Sequence, residues 1–124
     1  MIKLITMLTR KPELSREAFI EHYEKKHRRI GEKYLSGYAV KYQRRYVSPD
    51  ETGKYRGPAP PFDVLMEIWF PDQVTLDAAM AHIGRPEAQA EITVDEERLF
   101  DRNKMLSFVV EEHESILPAP QDTP

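Results

Sequence analysis

His27 and Asp95 are the two residues whose types and settings suit proton transfer. Phe19, Tyr23, His27 and Ile30 recur at spacings of three and four, so His27 lies on the apolar stripe of a helix. Asp95 interrupts a second stripe, formed with Ala88, Ile92 and Leu99. An imidazole or a carboxylate on a core-facing stripe must find a hydrogen-bond partner or a ligand. If the two meet, the carboxylate fixes the imidazole tautomer and raises its pKa, giving an acid–base group for a phenol or an enol. The alternative is a buried His–Asp bond that ties two helices together. Tyr23, one turn before His27, is placed to polarise a substrate carbonyl with its hydroxyl, or to pack in the core. His22 lies beside the stripe, either at a pocket edge or facing solvent. Tyr42, Tyr46 and Trp69 suit stacking on a flat ligand, although Trp69 also reads as core or interface.

The elements that must position these groups follow from patterning. Ile2 to Thr9 is a β-branched, apolar run ending at Lys11-Pro12, and reads as a strand covered on both faces. Ser15 caps a helix running to about Lys33, loosened near its end by Gly31 and broken by Leu35-Ser36-Gly37. Tyr38 to Val47 alternates as a second strand. Residues 48–61 hold Pro49, Gly53, Gly57, Pro58, Pro60 and Pro61, so they form a long loop or flap. Asp63 to Phe70 is a third strand, with Val64, Met66, Ile68 and Phe70 on one face and Leu65, Glu67 and Trp69 on the other. Asp72 caps a helix through His82 with a stripe of Leu76, Ala79, Met80 and Ile83; Pro86 opens another, to about Phe100. Asp101 serves the turn into a last strand, Lys104 to Glu111, and residues 118–124 form a frayed tail after a single domain spanning 1–117.

This β-α-β-β-α-β order predicts an α+β, four-stranded antiparallel sheet with helices on one face, the ferredoxin-like arrangement. The other face would expose Leu65, Trp69, Met105 and Val109, so the pattern predicts an isologous homodimer, with Glu67 paired across the interface to an arginine such as Arg44.

Composition narrows the function classes. The net charge of −3 and the mixed acidic and basic helix surfaces argue against nucleic acid, and the Lys25, Lys26, Arg28 and Arg29 cluster reads as a solvated face. The chain has no cysteine, which rules out disulfides and thiolate ligands. His22 and His27 stand five apart, off the spacing that puts two metal ligands on one α-helical face. No phosphate loop, signal segment or apolar run of membrane-spanning length is present, and a cytoplasmic location is expected.

Leu8-Thr9-Arg10-Lys11-Pro12, Ser15-Arg16-Glu17-Ala18-Phe19, His22-Tyr23 and His27, Glu67-Ile68-Trp69-Phe70, Ala78-Ala79, Arg85-Pro86-Glu87, Asp95-Glu96 and Phe100-Asp101 occur in the order that resembles the EthD family. The resemblance spans nearly the whole chain and implies a ferredoxin-like fold that dimerises into an α/β barrel. It also implies small, cofactor-independent proteins of aromatic and polyketide metabolism: lyase- or isomerase-type enzymes such as decarboxylases or dehydratases, accessory proteins of oxidative degradation, or monooxygenases that need no cofactor. The ligand expected on that basis is small and hydrophobic or aromatic. The 48–61 loop is longer than that family's usual connection.

Overall fold

The computed structural model describes residues 1–48 and 57–121. The middle of the expected 48–61 loop and the end of the expected 118–124 tail lie outside the described residues. The order is β1 (Ile2–Leu8), α1 (Arg16–His22), a π-turn (Tyr23–His27), α2 (Arg28–Leu35), β2 (Lys41–Tyr46), β3 (Val64–Phe70), α3 (Gln73–Ile83), α4 (Pro86–Leu99), a 3₁₀ turn (Arg102–Lys104) and β4 (Leu106–Val109). The strands pair antiparallel in the order β2-β3-β1-β4, with the helices packed on one face, so the protein has the ferredoxin-like α+β fold.

Register decides which side chains meet the helices. Leu4 faces Ile68 and Leu8 faces Val64 on β1 and β3, while Tyr42 faces Ile68 and Tyr46 faces Val64 on β2. This face closes over Phe19, Tyr23, Leu99 and Phe100 at one end and, through Ile68 and Phe70, over Leu35 and Ala79 at the other. Each fully buried large side chain contributes about 2 kcal/mol relative to exposure, so the two clusters are the main attachment of helices to sheet.

Several boundaries differ from the sequence reading. The first helix is one continuous rod interrupted by the π-turn, in which the Arg28 amide donates to the Tyr23 carbonyl five residues back. Gly31 sits inside α2, where it admits the Tyr42 ring: a Cβ there would lie 2.9 Å from Tyr42 Cε2. β2 starts at Lys41, after Tyr38, because the Tyr38 and Ala39 amides turn back to the Leu35 carbonyl and Gly37 takes φ +88°. β4 starts at Leu106 because Asp101 caps the 3₁₀ turn through the Asn103 amide. Phe100 is extended and bridges to Arg10 instead of ending α4. Met80 is exposed, off the buried side of α3.

The open sheet face also needs correction. Val109 pairs with Leu4 and so shares the helix side, and Met105 packs against the Leu8–Phe19 cluster. The open face carries Ile5, Met7, Leu106 and Phe108 beside Leu65 and Trp69. Glu67 pairs with Arg45 of its own chain at 2.6 Å, while Arg44 turns to the helix side and grips Glu24.

Candidate functional site

The Ser15 hydroxyl accepts the Ala18 amide at 3.1 Å and starts α1, and the π-turn then resets its phase. A bond from residue i to i+5 puts residues five apart on one side of the rod. His22 and His27 therefore both face α4, where Asp95 projects from the third turn. Asp95 Oδ1 lies 2.8 Å from His22 Nε2, and Oδ2 lies 2.8 Å from His27 Nδ1. Lys26 Nζ stands 3.7 Å from Oδ1. Asp95 is 2% exposed, so both oxygens of a carboxylate withdrawn from water are engaged by imidazoles.

Protonation follows from these contacts. Burial alone would raise the Asp95 carboxyl, but the hydrogen bonds from His22 and His27 outweigh it and hold the group below the usual carboxylate range. Burial pushes His27 below its ordinary 6.5, against the upward pull of Asp95, with His22 adding to the depression. The sequence reading expected a raised value; desolvation of the ring exceeds the attraction of the carboxylate. The carboxylate at Nδ1 selects the Nδ1–H tautomer and leaves the Nε2 lone pair as a base. Nε2 has no hydrogen-bond partner among the described residues, and the fully enclosed, unpartnered side-chain atom among them is Trp69 Nε1.

The surroundings of His27 are tightly filled toward the sheet. Its ring meets Tyr23 edge-on at 5.1 Å and Phe100 at 5.3 Å between centroids. The space between the helices and the sheet beside His27 is occupied by the Phe19, Tyr23 and Phe100 rings, which among the described residues leaves no hollow there for a ligand. The Tyr23 hydroxyl points away from the imidazole, 3.2 Å from Tyr42 Oη and 3.3 Å from Met66 Sδ, and burial raises its pKa well above the ordinary phenol value. A groove of about 710 Å³ between the start of α2 and the face of α4 reaches the site at Asp95.

Tyr42 and Tyr46 belong to a neighbouring polar cluster that the sequence reading missed. Arg44 donates to both Glu24 oxygens at 2.8 Å and lies over the Tyr42 ring at 4.9 Å. The Tyr46 hydroxyl donates to Glu24 at 2.5 Å, and burial with that carboxylate raises its pKa. Trp69 sits on the opposite sheet face, between the Lys3 ammonium at 3.8 Å and the Lys41 ammonium at 4.3 Å. The structure thus brings His22, His27 and Asp95 together with the Tyr23 ring beside them. Tyr42 and Tyr46 form an adjoining layer, and Trp69 is remote. The signal for His22 was the five-residue interval itself, which α-helical spacing rules reject.

Residues 11–103 match the EthD domain family. No curated protein sequence matches the chain. Among solved structures, an EthD family protein from Bacillus halodurans C-125 superposes with a TM-score of 0.61 at 20% identity, covering 91% of this chain and 100% of that one. An antibiotic biosynthesis monooxygenase gives 0.55 at 16% identity over 92% and 100% of the two chains. A dimeric ferredoxin-like protein of unknown function from Thermobifida fusca YX gives 0.57 at 9% identity, covering 88% of each.

Proposed function

The chain belongs to the EthD family, and from that premise we propose that it is a cofactor-independent acid–base enzyme acting on a small aromatic or polyketide-like molecule. The observation that carries the reading is the buried Asp95 carboxylate bonded to two imidazoles, at 2.8 Å each, through Nδ1 of His27, so that Nε2 is the ring nitrogen without a partner among the described residues. His27 Nε2 takes a proton from an acidic C–H or O–H, and Asp95 offsets the positive charge that forms on the ring. His22 keeps the carboxylate ionised and oriented. In the dehydrating direction His27 removes the proton; in a decarboxylation the protonated ring delivers it to the carbanion. Tyr23 fixes the plane of the imidazole by edge contact, with a hydroxyl role at a substrate oxygen requiring it to leave Tyr42.

A second reading, a binding or accessory protein that sequesters such a molecule, is favoured by the packing of Tyr23 and Phe100 around His27. We also propose that the working unit is a cytoplasmic homodimer closed through the apolar sheet face of Ile5, Met7, Leu65 and Phe108. That proposal is supported by the apolar side chains that share this face, among them Leu106 at 56% exposure, and by the dimeric ferredoxin-like relative.

The test is turnover by the purified 124-residue chain of phenolic carboxylic acids and β-keto acids, followed by mass spectrometry and an oxygen electrode. Activity without added cofactor and a drop of about 10²–10⁴-fold in His27→Ala support the enzyme. Full turnover in His27→Ala refutes it, ligand binding without turnover in either protein supports the accessory reading, and oxygen uptake identifies a monooxygenase.

A further inference from the structure

The groove between α2 and α4 has a charge pattern that the acid–base reading does not use. Its walls carry Lys26 and Arg29 from the first rod and Arg98 from α4, with Ile30 and Val94 supplying apolar surface. Neither Arg29 nor Arg98 has a carboxylate within 4.0 Å among the described residues, although the chain as a whole is net acidic. Two of the three acids of the groove, Asp95 and Glu91, are already engaged, while Glu87 has no ion pair among the described residues. Asp95 holds two histidines, and Glu91 accepts from Lys33 at 2.9 Å and from the Tyr34 hydroxyl. Two arginines that line the same groove thus have no carboxylate partner among the described residues. Val94 is 52% exposed and Ile30 is 8% exposed, which gives the groove an apolar side for a ligand body.

We propose that this groove binds a small organic carboxylate with a flat apolar body. The carboxylate lies on the Arg29 and Arg98 guanidinium groups, with Lys26 adding charge, and the body rests on Val94 and Ile30. Planar guanidinium donors match a carboxylate in two-point contact, and they lose less hydration than an ammonium when they bind. At about 710 Å³ the open groove has room for a small organic molecule. The proposal concerns binding alone and stands whether or not His27 performs chemistry.

The test is a calorimetric titration of the full chain with 1-naphthoate, its neutral isostere 1-naphthylmethanol, and inorganic phosphate. Naphthoate is expected to bind at least about tenfold more tightly than either control. Arg29→Gln with Arg98→Gln is expected to weaken naphthoate by about tenfold or more, and Val94→Glu to weaken it comparably by opposing charge. Circular dichroism checks that both variants fold; these surface substitutions leave the core untouched. Equal binding of the alcohol, phosphate binding as tight as naphthoate, unchanged affinity in both folded variants, or no naphthoate binding at all would each overturn the proposal.

Discussion

Asp95 accepts on opposite oxygens from His22 and His27, and the consequences of removing each member differ. Asp95→Ala leaves two imidazoles without their shared acceptor and is expected to lower stability by about 3 kcal/mol in urea unfolding. His22→Ala is expected to cost about 1 kcal/mol, because His22 is partly solvated and Asp95 keeps its bond to His27. The pH dependence follows from the depressed His27. The unfolded chain binds a proton at this ring near 6.5 while the folded chain binds it lower, so the stabilisation is fully present above about pH 6.5. It is lost as pH falls through the folded value. The urea midpoint is therefore expected to decline on acidification below pH 6.5, and His27→Gln to flatten that decline. A further loss belongs to Asp95, whose lowered carboxyl stabilises the fold above 3.8 and ceases to do so as pH falls through its folded value.

At the scale of elements, Tyr42 lies close over Gly31. Alanine in place of Gly31 gains helix propensity, but its Cβ would stand 2.9 Å from a ring held by Tyr23 and stacked on Arg44. A net destabilisation of about 1–2 kcal/mol is expected for Gly31→Ala, measured by urea unfolding, because overpacking exceeds the propensity gain. An unchanged or raised midpoint would mean that the ring moves freely. The stripe Phe19, Tyr23, His27 and Ile30 was legible in sequence, and all four are buried. The π-turn was not, because hydrophobic periodicity reports which residues are buried and is silent on an extra residue absorbed on the polar side. Its consequence, His22 turned toward Asp95, was therefore hidden, as was the Glu24–Arg44 pair, whose members lie on separate elements 20 residues apart.

For the molecule as a whole, the β-α-β-β-α-β order and the ferredoxin-like sheet could be read directly, since strand and helix periods alternate cleanly along the chain. Face membership at β4 could not, because a one-residue change of strand phase exchanges the two sides. Val109 joins the helix side opposite Leu4, and Phe108 takes the open side opposite Ile5. This places Met7 within the apolar patch of Ile5, Leu65, Leu106 and Phe108. Met7→Glu is expected to convert a dimer into a folded monomer in sedimentation velocity. A monomeric wild type would refute assembly through this face. Among the described residues no helix is long and apolar enough to cross a membrane.

The central claim, a neutral His27 held by Asp95 with its outer nitrogen basic, is tested most directly by nitrogen-15 NMR of the histidine rings across pH. The expected result is a protonated Nδ1 and an unprotonated Nε2 on His27 at neutral pH, titrating below 6.5, with the tautomer preference lost in Asp95→Asn. A ring that carries its proton on Nε2, or titrates above 6.5, would contradict the account.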